Sequence, residues 1–149
     1  MDITKTQREY LFMGRHFVAS YLGCDPERLT AIDQLRDNLL EAIKASGATI
    51  LSMTDYRFDG DGYTAAIILS ESHATIHTYP EFGACFVDLF TCGNKCSHKP
   101  FDDLLQAYLR PQSFNYQVIQ RKEETKVIEA HPPDQWWSFY FGLPKVKSS

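Results

Sequence analysis

The sequence predicts an α+β fold, a two-layer sandwich in which helices cover one face of an antiparallel sheet. Strand-like alternation and helical periodicity follow one another in the order strand, helix, several strands, helix, strand. The connections between the strands are short, which favours antiparallel pairing. The 149 residues, 44% of them hydrophobic, suffice for one core, so residues 1–149 are expected to form a single domain.

The first strand and the first helix are the clearest elements. Residues 14–22 (GRHFVASYL) alternate as a strand does. In the turn 23–26 (GCDP), Asp25 can cap a helix and Pro26 fits its first position. Apolar residues then recur every three or four positions as far as Gly47. They predict one amphipathic helix whose buried face carries Leu29, Ile32, Leu35, Leu39 and Ile43.

Four strands are predicted after this helix. The apolar runs place them over 49–53, 63–69, 73–79 and 84–92, and the turn 59–62 (DGDG) separates the first two. Their close succession is typical of strands that pair with their neighbours in sequence.

The last third of the chain predicts one more helix and one more strand. A second amphipathic helix begins at Pro100 and carries Phe101, Leu104, Leu105, Tyr108 and Leu109. The final strand is marked by Phe114, Tyr116 and Val118. Residues 123–149 are interpreted as a less regular C-terminal extension, whose aromatic segment 136–141 (WWSFYF) is expected to pack on the domain or on a partner chain.

Charge and hydropathy argue against several kinds of partner. The net charge is −4, the isoelectric point is about 5.7 and the lysines and arginines are scattered, so neither nucleic acid nor a membrane surface is expected. No apolar stretch approaches the ~20 residues of a membrane span, and the N-terminus does not have the pattern of a secretory signal. We therefore expect a cytoplasmic protein whose four cysteines are reduced thiols.

Cys92, Cys96 and His98 lie close together in the sequence TCGNKCSH. Thiolates and imidazole at this spacing suggest zinc, but a second pair of ligands at the usual distance is missing, and His73 and His77 would have to come from a strand. No metal site is therefore predicted. Cys92 ends its predicted strand, where a thiol can reach a cleft and act as an acid.

The two histidines of segment 69–78 (LSESHATIHT) predict a polar site. His73 and His77 are four residues apart, so on a strand they share a face with Thr75. One interpretation is hydrolysis, with Ser72 as the nucleophile and His77 as its base. Against it, no G-x-S-x-G motif surrounds Ser72, and no carboxylate is marked as the group that orients the base.

Segment 71–83 (ESHATIHTYPEFG), followed by 87–93 (VDLFTCG), closely resembles the core motif of the prokaryotic S-adenosylmethionine decarboxylase proenzymes. The similarity continues upstream in 14–16 (GRH) and 23–26 (GCDP) and covers roughly residues 10–121. Because the paired motif is long and specific, the chain is identified as similar to the short-form members of this family.

The resemblance implies that the protein cuts its own chain between Glu71 and Ser72. In this family the serine oxygen attacks the preceding carbonyl, the resulting ester undergoes β-elimination, and the serine becomes a pyruvoyl group. Chains 1–71 and 72–149 would result. The covalent pyruvoyl group forms a Schiff base with the substrate amine and withdraws electrons as CO₂ leaves, so no diffusible cofactor is implied.

The same match of positions implies roles for individual side chains. His77 corresponds to the processing histidine, which removes the proton that drives β-elimination. Cys92 corresponds to the acid that protonates the product carbon. Thr64 stands where relatives often have a serine that assists processing, and its hydroxyl keeps the hydrogen-bonding capacity.

Substrate binding is implied for Phe58, Tyr79 and Glu81. An aromatic residue near the adenine and a carboxylate near the substrate suit a sulfonium cation attached to adenosine. Tyr79 stands where many relatives have tryptophan, and 121–122 (RK) stands where Arg-Gly is usual. These departures leave open an alternative enzyme that decarboxylates arginine or ornithine on the same scaffold.

The expected function is decarboxylation of S-adenosylmethionine to the aminopropyl donor of spermidine synthesis. The resemblance also implies a homodimer of processed units, with sites built from both protomers. A third hypothesis is an uncleaved, non-catalytic paralogue that binds an active subunit through its aromatic tail. The presence of Ser72, His77 and Cys92 speaks against it.

Overall fold

The structure, a computed structural model, describes residues 12–92 and 95–133. Seven strands in this part of the chain form one sheet, and three α-helices pack on it. The strands are β1 (Gly14–Leu22), β2 (Ile50–Arg57), β3 (Tyr63–Leu69), β4 (Ser72–Tyr79), β5 (Ala84–Cys92), β6 (Ser113–Arg121) and β7 (Thr125–His131). The helices are α1 (Pro26–Thr30), α2 (Ile32–Ala45) and α3 (His98–Leu109).

The sheet has the strand order β2-β3-β4-β5-β1-β6-β7, and every neighbouring pair is antiparallel. β2 to β5 are neighbours in sequence as well as in space, as their short connections predict. β1 instead lies between β5 and β6. The predicted α+β sandwich with an antiparallel sheet is confirmed.

The core lies between the helices and one face of the sheet. Alternate strand residues point into it, and the ring of Phe17 in β1 packs edge-on against Phe101 in α3, with centroids 6.0 Å apart. The fully buried side chains include Tyr21, Leu29, Leu35, Leu39, Ile43, Tyr63, Ile67, Ile76, Leu89 and Leu105. We call the opposite side, which no described helix covers, the open face of the sheet.

The first helical segment differs from its prediction. Asp25 caps α1 by accepting hydrogen bonds from the N–H groups of Glu27 and Arg28, as expected. The helix then stops at Ala31, and α2 begins at Ile32, so the prediction of one continuous helix was wrong. The Tyr108 hydroxyl donates to the Arg28 carbonyl at 2.7 Å. This hydrogen bond from α3 occupies the Arg28 carbonyl oxygen, which in a continuous helix would accept a backbone hydrogen bond from the N–H four residues later.

Several other boundaries differ from prediction, and those of β2 and β7 differ because edge strands lack clear alternation. β2 continues to Arg57, although nearly all of its residues are exposed. α3 begins at His98 rather than at Pro100. β7 falls within residues 123–149, predicted as irregular, and pairs with β6. The aromatic segment 136–141 lies outside the described residues.

None of the helices described is long and apolar enough to cross a membrane.

Two adjacent leucines of α3 test where the core lies. Leu105 is completely buried, whereas Leu104 is 41% exposed. Leu105→Ala should lower the free energy of unfolding by about 2–5 kcal/mol because it leaves a cavity. Leu104→Ala is the matched control and should cost about 0.5 kcal/mol or less. Urea unfolding at one fixed protein concentration measures both, and equal losses would contradict this placement of the core.

Candidate active site

The predicted site residues fall into two groups at opposite ends of β4. Ser72 begins the strand, close to Glu71 and Cys92. His77 lies five residues further along, paired with Thr64 of β3. At about 3.3 Å per residue, Ser72 and His77 of one chain are therefore ~16 Å apart. A single chain does not bring the predicted serine and its predicted base together.

The peptide bond between Glu71 and Ser72 lies in the tight turn that joins β3 to β4. Two hydrogen bonds fasten this turn to Thr49: the Ser70 N–H donates to the Thr49 carbonyl at 3.0 Å, and the Thr49 N–H donates to Glu71 Oε1 at 2.9 Å. The Cys92 N–H donates to the Glu71 carbonyl oxygen at 3.1 Å. A donor on this oxygen favours attack on the carbonyl carbon, since it stabilises the negative charge that develops there.

Ser72 has a strained backbone. Its φ angle is +148°, in a region that residues other than glycine rarely adopt. Pairing with Leu69 on one side and with Thr91 on the other holds it in place. Strain in this region costs about 1–3 kcal/mol, and a break in the chain before Ser72 would relieve it.

The groups beside the turn differ in exposure. The Glu71 side chain is buried, which by itself raises its pKa, but hydrogen bonds from the Thr49 N–H and the Ser70 side chain outweigh burial and lower the pKa of Glu71. Cys92 is exposed and is a free thiol. The Cys92 backbone lies next to the turn, since its N–H bonds the Glu71 carbonyl oxygen.

The second group surrounds His77 at the other end of β4. The hydroxyl of Thr64 shares a hydrogen bond with His77 Nδ1. The ring centroids of Tyr79 and Phe58 lie 4.5 Å and 6.0 Å from that of His77. Glu81 is exposed in the short 3₁₀ turn Pro80–Phe82 that follows β4. This end of the sheet thus places an imidazole beside two aromatic rings.

A third group, which the sequence did not predict as a unit, lies between these two on the open face. Asp88 Oδ2 is 2.5 Å from His16 Nε2 and 3.4 Å from His73 Nε2, and Thr75 donates a hydrogen bond to Oδ1. His73, Thr75 and His77 do share one face, as predicted, but the two histidines belong to different groups. The available signal was Asp88 itself, a charged residue within the otherwise apolar strand 84–92.

Cys92, Cys96 and His98 do not come together as a set of metal ligands in the described part of the chain. Cys96 is buried, and the His98 ring stacks on Phe17 with centroids 5.0 Å apart. The three described side chains whose ligand atoms lie within 4.8 Å of one another are His16, His73 and Asp88.

Residues 15–122 match the family model described as S-adenosylmethionine decarboxylase. The chain belongs to this family. It is 44% identical over 82 residues to the S-adenosylmethionine decarboxylase proenzyme of Fervidobacterium nodosum, across 55% of this chain and 60% of that protein. The proenzyme of Brevibacillus brevis is 34% identical over 122 residues, across 81% of this chain and 92% of that one.

A solved structure agrees with the family assignment. The crystal structure of the adenosylmethionine decarboxylase from Aquifex aeolicus VF5 superimposes with a TM-score of 0.66 and 32% sequence identity, covering 72% of this chain and 88% of that chain. The family and the enzyme class predicted from the ESH and TCG motifs are therefore confirmed.

Two uncleavable variants test the strain at residue 72. Ser72→Gly and Ser72→Ala both lack the hydroxyl, so both should remain single chains. Because glycine adopts φ near +148° without a steric cost, Ser72→Gly should unfold with a free energy about 1–3 kcal/mol higher than Ser72→Ala. Urea unfolding of the two proteins side by side measures the difference. A Gly variant that is no more stable than the Ala variant would show that the backbone here is relaxed.

Proposed function

We propose that this chain decarboxylates S-adenosylmethionine with a pyruvoyl group made from its own Ser72. The reaction follows from the family, since the relatives compared are S-adenosylmethionine decarboxylase proenzymes. The observation that carries the pyruvoyl origin is the strained Glu71–Ser72 turn, with the Cys92 N–H on its carbonyl oxygen. These features favour cleavage at this peptide bond, as expected of a proenzyme.

Self-cleavage begins when Ser72 Oγ attacks the Glu71 carbonyl carbon. The C–N bond breaks, the proton from Oγ passes to the Ser72 nitrogen, and an ester joins the two residues. His77 then removes the Ser72 α-proton, and the Cβ–O bond breaks with Glu71 leaving as a carboxylate. The dehydroalanine that remains tautomerises to an imine, and water hydrolyses it to the pyruvoyl group with release of ammonia.

The chain's own residues have separate tasks in turnover. The pyruvoyl group supplies the electron sink for loss of CO₂. Cys92 donates the proton that the product carbon takes up, from a thiol next to residue 72. Phe58 and Tyr79 provide aromatic faces for the adenine and the sulfonium cation, and Glu81 provides a negative charge.

We further infer that the active unit is a homodimer with sites built from both copies. A general base must lie about 3 Å from the proton that it removes, but Ser72 and His77 of one chain are ~16 Å apart. The open face exposes Ile68, Tyr79 and Phe86 by 41–50%, an apolar surface that a second copy would cover. A two-fold axis near the middle of β4 would bring His77 of one copy to Ser72 of the other.

The relatives do not favour decarboxylation of arginine or ornithine, or a non-catalytic paralogue. The product, decarboxylated S-adenosylmethionine, is the aminopropyl donor for spermidine, so we assign the protein to polyamine synthesis. We place the enzyme in the cytoplasm, because all four cysteines are free thiols and Cys92 must stay reduced to donate its proton.

Self-cleavage is tested by the denatured mass of freshly purified protein. The 17.1 kDa chain should give fragments of roughly 8 and 9 kDa, in proportion to 71 and 78 residues, with the larger fragment blocked at its N-terminus. Ser72→Ala should remain intact. A wild-type chain that stays whole on long incubation would overturn the pyruvoyl mechanism.

The cleaved protein can then be given carboxyl-labelled S-adenosylmethionine, arginine and ornithine in parallel. Labelled CO₂ from S-adenosylmethionine is the expected result. Release from arginine or ornithine alone would assign the alternative substrate class while leaving self-cleavage established.

Co-expression of two inactive variants tests the shared site. Ser72→Ala keeps His77, and His77→Ala keeps Ser72, so neither should cleave alone. In a mixed dimer the first supplies the base and the second the serine, and up to roughly half of the His77→Ala chains should be cleaved if copies pair at random.

The matched control is co-expression of His77→Ala with the double variant Ser72→Ala/His77→Ala, which supplies no base. It should give no cleavage. Absence of rescue with Ser72→Ala, in samples shown to contain mixed dimers, would mean that each site lies within one chain.

A further inference from the structure

The carboxylate of Asp88 joins three adjacent strands on the open face. Asp88 is in β5, its hydrogen-bonding partner His16 is in β1, and His73 and Thr75 are in β4. The side chains of Asp88 and His16 are 18% and 19% exposed, and that of His73 is 40% exposed. None of the roles proposed above uses this group.

Asp88 is held as an anion. Burial raises its pKa, but hydrogen bonds from His16 and Thr75, together with the nearby imidazoles of His16 and His73, outweigh burial and lower the pKa of Asp88. His16 and Asp88 bond directly at 2.5 Å, so these side chains satisfy one another rather than surround a space for a metal ion. The group therefore acts as a link between strands.

Because His73 follows Ser72 directly, this link would hold the chain end that cleavage creates. In the intact chain, the turn at residues 70–71 and its hydrogen bonds to Thr49 hold the start of β4 in addition to the strand pairing on both sides. Cutting before Ser72 makes the start of β4 a chain terminus, and chain ends fray. His73 then carries the pyruvoyl group on its backbone nitrogen and is the first residue with a complete side chain.

We propose that Asp88 is a positioning residue for the pyruvoyl group, because its carboxylate tethers the side chain of His73 to β5 and, through His16, to β1. The tether keeps the new terminus in register after the turn has been cut. This inference rests on the proposed function, since it needs a cleaved chain. Displacement of a reacting group by ~1 Å can reduce turnover by up to about 100-fold.

Asp88→Asn tests the tether, because the amide keeps the size of the side chain but loses its charge. Asp103→Asn is the matched control, since Asp103 is 59% exposed and pairs with Lys99 on the surface of α3. Asp88→Asn should still cleave itself, and its kcat per titrated pyruvoyl group should fall about tenfold or more with KM within a few-fold of wild type. Asp103→Asn should match wild type in all three measurements.

Amide hydrogen exchange provides a readout other than activity. In the cleaved enzyme, Asp88→Asn should speed exchange in the segment that begins at residue 73. In the uncleaved Ser72→Ala background the same substitution should leave that exchange unchanged, because the turn still holds the strand. Equal increases in both backgrounds, or an unchanged kcat in Asp88→Asn, would overturn the proposal.

Substitutions of His73 decide the question even if Asp88→Asn does not fold. His73→Phe keeps a ring against Phe90, 5.5 Å away by centroids, but has no donor for Asp88. His73→Gln loses the ring and keeps a donor. The tether predicts that the Gln variant is the more active, whereas a role in packing alone predicts the reverse. Failure of the wild type to cleave would instead overturn the proposed function itself.

Discussion

The position of β4 between β3 and β5 constrains everything that the candidate site can do. Hydrogen bonds on both sides keep the strand extended, so side chains at its two ends cannot meet. A serine and a base placed five residues apart are therefore separated within each chain. One end of the strand carries the strained Glu71–Ser72 bond, and the other carries His77 beside two aromatic rings. A second copy of the chain is the simplest way to join two ends that one rigid strand keeps apart.

The start of β4 shows how strand pairing in a sheet can maintain strain at one peptide bond. An unfavourable φ angle persists at Ser72 because its neighbours fix it from both sides, and because the turn before it is fastened to Thr49. The Cys92 N–H already points at the carbonyl oxygen on which charge would develop. The energy that stabilises the surrounding strands thus maintains strain at one bond. The residues that supply this environment come from three separate parts of the chain.

The open face combines an apolar surface with the partly buried carboxylate of Asp88. Burial of Asp88 is unfavourable by itself, and the hydrogen bonds from His16 and Thr75 offset that cost. The Phe90 ring packs against both His16 and His73, with centroids 5.1 and 5.5 Å away. Gly14 makes this packing possible, because a Cβ atom there would lie 2.3 Å from the Phe90 ring. The hydrogen bonds of Asp88 and the packing of Phe90 therefore involve the same two histidines. Both lie on the face that a second copy would cover.

The sequence by itself determined the fold class, the positions of most strands and the family, because alternation, short turns and the ESH and TCG motifs are all local signals. It did not determine the break at Ala31, next to which a hydroxyl from α3 bonds the Arg28 carbonyl, or the edge strand β7, whose exposed residues have no clear period. It placed Ser72, His77 and Cys92 in one site without showing that a single strand separates two of them. Only the tertiary structure decided that separation, the strain at Ser72 and the grouping of His16, His73 and Asp88. The separation and the strain depend on β4 being fixed between β3 and β5, and the grouping depends on the pairing of β5 with β1, which is distant in sequence. Local patterns do not encode these arrangements.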